Sequence, residues 1–301
     1  MKTVRKAPAK INLFLHMTGK REDGYHLLRS VMQTISLYDE VTVTALPGKR
    51  EIHLKTEEES IASIGMKNTA CRAAKLFMDE IPDASYEITI ELAKQIPSQA
   101  GLGGGSSDGA STLLALAELF PSAVSPERLA ELALKIGADV PFFLQGGTAL
   151  CEGVGEVLTE ATPLDSLPIL ILKPAHGVST PGCYARFDQS GSMRTLREEE
   201  KKILETFLFP KGKTDPCERL KQAIPILWND LYEPALEDAP EMAQAIPLLE
   251  KYRAFYSAMS GSGSAMFGVF EKKEQIEELL SSEGFSALKQ TGWRAFPVTS
   301  V

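Results

Sequence analysis

The chain is poor in several things, and each shortage closes a door. Four cysteines stand in 301 residues, at Cys71, Cys151, Cys183 and Cys217. None has the close spacing of a zinc site or a redox Cys-x-x-Cys pair. They read as small buried hydrophobes in a reducing compartment. No segment stays apolar for the ~18 residues that a membrane helix needs. The N-terminal MKTVRKAPAKINLFLHM is apolar only from Ile11 to Met17, broken by Asn12 and His16, which is a poor signal peptide. A basic excess is also missing: 32 Lys and Arg against 40 Asp and Glu leave a net charge of −8. A nucleic-acid binder usually shows the reverse. There is no repeat of 20–50 residues and no low-complexity tail. The reading is a cytoplasmic protein, whole as given, with no nucleic-acid and no membrane partner. Any anionic small molecule must be held by a local site, not by a global field.

Hydrophobic residues make up 44% and charged residues 24%, near the average for a globular chain. At ~100–200 residues per domain the length suggests two domains, which we divide as 1–160 and 161–301. Residues 4–17 alternate with period two as a strand, placing Lys10 and Asn12 on one face. A turn-rich stretch follows at 19–25 (GKREDGY), then strand pattern at 31–45. Residues 66–78 read as a helix and 86–92 (YEITIEL) as a strand. Residues 126–136 read as an amphipathic helix with Leu129, Leu132, Ala133 and Ile136 on one face and Gly137 as its stop. LPILILK at 167–173 is a short apolar strand. The stretch 186–218 is polar and weakly patterned; its REEEKK run suggests an i,i+4 pair such as Glu198–Lys202 on a solvated face.

The informative segment is PSQAGLGGGSSDG at 97–109, which lies between a strand and a helix. Its helix is expected to start with Ser106, Ser107 or Asp108 as N-cap. Glycines let a backbone approach a phosphate and expose its N–H groups, and a helix N-terminus adds about half a positive charge. Two familiar loops fail here. A Walker A match at Gly212-Lys213-Thr214 needs a glycine at position 207, which is Phe207. The G-x-G-x-x-G dinucleotide pattern from Gly101 and Gly103 meets Ser106 in place of its third glycine. What remains is P-x-x-x-G-L-G-G-G-S-S over Pro97 to Ser107. A bare tight turn is the alternative for a glycine run, and the hydroxyl pair at the helix start argues against it.

PSQAGLGGGSSDGA resembles the ATP-binding motif of the GHMP kinases. APAKINLFLHMTGKREDGYHLLRSVMQTI at 7–35, IGADVPFFLQGGTALCEGVGEVL at 136–158, ND at 229–230 and SGSGSAMFGVF at 260–270 resemble one branch of that family. That branch phosphorylates 4-(cytidine 5'-diphospho)-2-C-methyl-D-erythritol. The resemblance spans nearly the whole chain in order. It implies a two-domain α/β (α+β) fold, with an N-terminal part like ribosomal protein S5 domain 2 and a ferredoxin-like C-terminal part, and the substrate in the cleft between them. The implied reaction is ATP-dependent phosphorylation of the 2-hydroxyl in the non-mevalonate isoprenoid pathway. Another GHMP kinase, such as homoserine kinase, or a non-catalytic nucleotide-binding protein on this fold, is the alternative.

The resemblance also assigns residues. Lys10 and Asp139 are the implied catalytic pair; taken alone, Lys10 reads as a surface strand lysine and Asp139 as a helix cap before Pro141. A carboxylate suits a poor alcohol nucleophile and an ammonium suits the transferring charge. Pro97, Gly101, Leu102, Gly103, Gly104, Gly105, Ser106 and Ser107 form the implied ATP loop. Asn68 and Lys94 flank it, and Gly261 and Gly263 support it, with close strand–helix packing as the plainer account of those two glycines. Asn12, Tyr25, His26, Thr180 and Tyr184 are the implied substrate residues, the two tyrosines sandwiching cytosine while His26 reads its edge. ATP is the co-substrate, and Mg²⁺ is expected mainly through its phosphates, with no protein metal ligand assigned. The implied partner is a cytidine-diphosphate-linked small molecule, and the chain is expected to be a monomer or a weak homodimer.

Overall fold

The structure, a computed structural model, describes residues 1–301 apart from 59–60, 62–64, 83–84, 191–192 and 194. Two long strands open the chain, β1 (Lys2–Lys20) and β2 (His26–Pro47), which pair with each other. The chain folds into two compact units, and both long strands contribute to each of them. One unit comprises residues 1–9, 37–96 and 103–146; the other comprises 10–36, 97–102 and 147–301.

In the first unit, β3 (Glu51–Thr56) runs parallel to β4 (Tyr86–Ala93), and β4 is antiparallel to the second half of β2, with Val43 opposite Ile90. Val41, Val43, Ile88 and Ile90 are buried, which accounts for the alternating pattern of both strands. Three longer helices belong to this unit. They are α1 (Thr69–Asp79), α2 (Gly104–Leu119) and α3 (Pro126–Ile136), and a short α4 (Val140–Gln145) comes after them. α3 has the expected limits: the Ser125 hydroxyl accepts from Arg128 N at its start and Gly137 ends it, burying Leu129, Leu132, Ala133 and Ile136.

The start of α2 corrects the expected cap. The N-cap is Gly103, in the left-handed region at φ 72°, and the first helical bond runs from Ser107 N to Gly103 O. Only glycine takes that conformation without a Cβ penalty. Gly104 and Gly105 then fill the first turn, where N–H groups have no helical acceptor in any case. Ser106, Ser107 and Asp108 therefore lie inside the helix instead of ahead of it.

In the second unit, the first half of β2 pairs with β5 (Thr148–Glu152), which pairs with β6 (Val157–Glu160). A separate antiparallel sheet is built on β7 (Pro168–Lys173), whose six residues are all buried. The polar stretch forms α5 (Thr180–Ser190), α6 (Glu198–Leu208) and α7 (Pro216–Ala223), which bury Phe187, Leu204, Phe207 and Leu220. On α6 the ion pair is Glu198–Lys201, one residue closer than the expected Glu198–Lys202. Further on come α8 (Tyr232–Leu236), α9 (Ala245–Lys251), β8 (Tyr256–Met259), β9 (Met266–Val269), α10 (Lys273–Leu280), α11 (Glu283–Gln290) and β10 (Arg294–Thr299). The sheet order is β10-β7-β9-β8, and its core includes Leu170, Leu172, Met259, Met266, Leu279 and Trp293.

Candidate active site

In the first unit the chemistry gathers at the start of α2. Lys94, just past β4, donates to Asp108 at 2.6 Å and also to Asp39 near the middle of β2. All three side chains are nearly out of water. The second oxygen of Asp39 accepts the backbone N–H groups of Gln95 at 2.6 Å and Ile96 at 2.9 Å. The carboxylate thus ties down the chain as it enters the glycine loop. Burial, with Asp39 beside it, pushes Asp108 up to about 7 against the pull of Lys94. Burial alone works to lower Lys94, but Asp108 and Asp39 outweigh it and hold the ammonium above the ordinary lysine value. Lys94, expected beside the nucleotide, spends its charge within the protein.

Ser107 is fully buried, and its hydroxyl has no hydrogen-bond partner among the described residues; the same holds for one oxygen of Asp108. Buried polar atoms are normally satisfied, which sets this hydroxyl apart. Gly104 packs tightly: a Cβ there meets the Ile96 side chain at 3.0 Å. The Gly105 carbonyl accepts from the Thr69 hydroxyl at 2.6 Å. Asn68 is the N-cap of α1, its side chain accepting from Ala70 N at 2.8 Å. Asp139 occupies the N-cap position of α4 and makes no side-chain cap bond.

The second unit brings together Lys10, Asn12 and the first half of the loop. Lys10 and Asn12 share a face, as period two requires, and the lysine ammonium donates to Asn12 Oδ1. Both are buried, at 3% and 1% exposure, which rules out a surface lysine. Lys10 N donates to Leu102 O at 3.0 Å, lashing the strand to the loop. The SGSGS run packs against that loop. Ser260 Oγ donates to Gly101 O at 2.9 Å, and Ala265 N donates to Ala100 O at 3.0 Å. A Cβ on Gly101 comes within 2.0 Å of Ser260 O, and one on Gly261 lies 3.4 Å from the Lys10 ammonium. These glycines let two backbones and the lysine head converge. Asn229 of the ND pair holds the same run, donating to Met259 O and Gly261 O at 2.9 and 2.8 Å.

Tyr25 stands 64% exposed, and its neighbour His26 stacks at a tilt on Tyr184, with ring centroids 4.9 Å apart. His26 Nε2 and the Lys20 ammonium each lie 2.6 Å from Asp188 of α5. Hydrogen bonds from Lys20 and His26 hold the Asp188 carboxyl below the usual range. Thr180 begins α5 and shares a 2.8 Å hydrogen bond with Ser262. Pro97 is half-buried between the loop and β4 in sequence, and Gly263 takes φ 87°. Sequence reading missed Asp39, Asp188, Ser260 and Ser30 entirely. Ser30 and Ser260 fall within the resembling segments, but nothing local marks the role of any of the four, and each partner is distant in sequence.

Residues 68–147 match the GHMP kinases N terminal domain and residues 218–282 the GHMP kinases C terminal domain. The chain is 40% identical over 276 residues to 4-diphosphocytidyl-2-C-methyl-D-erythritol kinase of Desulfitobacterium hafniense (strain Y51), covering 91% of this chain and 89% of that protein. The chain belongs to the GHMP kinase family. The kinase of the same description from Clostridium acetobutylicum (strain ATCC 824) is 36% identical over 282 residues, covering 91% of this chain and 92% of that one. A crystal structure of 4-(cytidine 5'-diphospho)-2C-methyl-D-erythritol kinase superposes with a TM-score of 0.76 at 35% identity, over 99% of each chain. Homoserine kinase from Cytophaga hutchinsonii shares the fold, with a TM-score of 0.73 at 16% identity over 100% of this chain and 94% of that one. Within the family this chain groups with the 4-diphosphocytidyl-2-C-methyl-D-erythritol kinases. It has the two-domain α/β GHMP fold and is an ATP-dependent small-molecule kinase.

Proposed function

We propose that this kinase transfers the γ-phosphoryl group of ATP to the 2-hydroxyl of 4-(cytidine 5'-diphospho)-2-C-methyl-D-erythritol, in the cytoplasm, on the non-mevalonate route to isoprenoid precursors. The observation that carries the reading is the 40% identity over nine tenths of the chain to a kinase named for that substrate. The site chemistry supports it. Asp139 accepts the proton of the attacking alcohol, which raises its nucleophilicity as the P–O bond forms. Lys10, held by Asn12, stabilises the negative charge that spreads over the transferring group. Gly103 to Ser107 offer the start of α2 to the ATP phosphates, with the Ser107 hydroxyl as the waiting donor. Asn68 and Lys94 support the nucleotide side through the start of α1 and of α2.

Mg²⁺ arrives on the nucleotide in this reading. Among the described residues no group of three or more His, Cys, Asp or Glu is placed to hold a metal. The orphaned Ser107 hydroxyl fits the shell of a phosphate-bound ion. When bound, the ion neutralises charge on the β- and γ-phosphates.

Tyr25, His26 and Tyr184 form the cytosine end. The exposed Tyr25 ring stacks on the base and His26, steadied by Asp188 and Tyr184, reads its edge. Asn12 and Thr180 lie along the diphosphate and polyol. A homoserine-type kinase has no base to recognise, so this aromatic group favours the cytidine substrate. A phosphate-transfer assay decides it: turnover is expected with the cytidine-diphosphate substrate, and none with homoserine or mevalonate. Turnover of homoserine alone overturns the reading.

A further inference from the structure

Behind Lys10 runs a line of buried hydrogen bonds whose direction is fixed. Ser30, in β2 opposite Cys151 of β5, is fully buried. Its hydroxyl donates to the Phe14 carbonyl at 2.6 Å. A backbone carbonyl only accepts, so the single hydroxyl proton is committed there. Ser30 Oγ can then serve Asn12 only as an acceptor, and Asn12 Nδ2 donates to it at 2.7 Å. With its NH₂ group turned to Ser30, the Asn12 amide must present Oδ1 to the other side. The Lys10 ammonium, which can only donate, lies on that oxygen. Every group in the line, Phe14, Ser30, Asn12 and Lys10, is buried, so water is not at hand to restore a lost partner.

We propose that Ser30 is a positioning residue for phosphoryl transfer. By fixing which way the Asn12 amide faces, it holds the Lys10 ammonium at one place and with one hydrogen bond already made. It touches neither substrate. Without the hydroxyl, Asn12 Nδ2 loses its acceptor and the amide is free to turn. A turned amide sets its NH₂ group against the ammonium, donor facing donor, and pushes the lysine head off its position. The proposal rests on the reading of Lys10 as catalytic given above.

The test is a mutant cycle in kcat with ATP and the cytidine-diphosphate methylerythritol substrate, on variants shown to be folded by circular dichroism. Ser30→Ala is expected to lower kcat on the order of tenfold, as displacement of a catalytic group does, with the KM for ATP unchanged. Ser30→Thr, which keeps the hydroxyl, is expected to retain most of the turnover. If Ser30 acts through Asn12, Ser30→Ala added to Asn12→Ala costs no more than about twofold further. Should Ser30→Ala fail to fold, Ser30→Cys takes its place in the same cycle, keeping the volume while weakening both hydrogen bonds. Losses that multiply in the double variant, or wild-type kcat in Ser30→Ala, overturn the proposal. Lys10→Met separates the two layers: wild-type turnover there removes the catalytic reading and the proposal with it. An inactive Lys10→Met beside a fully active Ser30→Ala leaves the reading standing and overturns only the relay.

Discussion

The ammonium of Lys94 lies 2.6 Å from the carboxylate of Asp108, inside the helix that follows the glycine loop, with both side chains nearly excluded from water. Asp39 holds the same ammonium from β2. Removing the lysine leaves two buried carboxylates without their cation, which typically costs ~3–5 kcal/mol. Lys94→Met is therefore expected to lower the melting temperature by roughly 10 °C. Thermal unfolding beside titration with a non-hydrolysable ATP analogue checks this. An unchanged melting temperature with lost nucleotide affinity makes Lys94 a direct nucleotide contact instead.

Asp108 gives a pH dependence with a definite sign. Its folded value, about 7, stands above the ordinary 3.8, chiefly through burial. Between those values the folded chain holds a proton that the unfolded chain has released. Stability therefore falls as pH rises through that window, and the cost is complete above about 7. Asp108→Asn, which cannot ionise, is expected to gain in melting temperature relative to wild type on going from mildly acid to mildly alkaline buffer. A difference between the two proteins that stays flat with pH refutes this.

Gly101 and Gly105 separate backbone geometry from ligand contact. At Gly101, φ is +73° and a Cβ lies 2.0 Å from the backbone oxygen of Ser260, which has no rotamer to escape into. Gly101→Ala is expected to lose more than ~3 kcal/mol of stability. At Gly105 the nearest atom to a Cβ is Thr69 Oγ1 at 3.6 Å, an ordinary contact. Gly105→Ala, inside a helix, is expected to hold or gain up to ~1 kcal/mol. A drop in ATP-analogue affinity in that stable variant assigns the first turn of α2 to the phosphates.

Asp139→Asn should cut kcat by ~10²–10⁴ while leaving the affinity for an ATP analogue in place. Circular dichroism of the variant checks that it is folded, so that a loss of turnover reports on chemistry. Stopped or steady-state kinetics with near-normal turnover removes Asp139 as the base.

Tyr25 is exposed enough that its ring contributes little to folding. Tyr25→Ala is accordingly expected to cost ~1–3 kcal/mol in affinity for the cytidine substrate, with no change for the ATP analogue and no loss of stability. Equal losses for both ligands in calorimetric titration exclude a stacking role.

Local regularities were legible in the chain because local physics writes them. The Gly137 stop and the four apolar positions before it delimit α3 without reference to anything distant. Period two placed Lys10 beside Asn12, and the two do form a hydrogen bond. The start of α2 lies ahead of the expected serines because glycines in a row look like loop, whereas Gly103 supplies the turn and the next two glycines are already helical. Helices α5 to α7 were hidden because their buried residues, Phe187, Leu204 and Phe207 among them, are sparse among charges. The supporting polar groups were least legible. Asp39 meets Lys94 across 55 positions and Asp188 meets His26 across 162, and no local pattern encodes such pairings.

The two compact units each consist of three separate stretches of chain, with a change of unit falling inside β1 between Ala9 and Lys10 and another inside β2 between Ser36 and Leu37. Such interleaving constrains inheritance. No single genetic crossover between two relatives carries over one unit complete and nothing of the other. Exchange of one intact unit requires several crossovers at once, two of them within continuous strands. Variation in this molecule is therefore expected to accumulate by substitution and by insertions between its elements, not by trading domains as interchangeable cassettes.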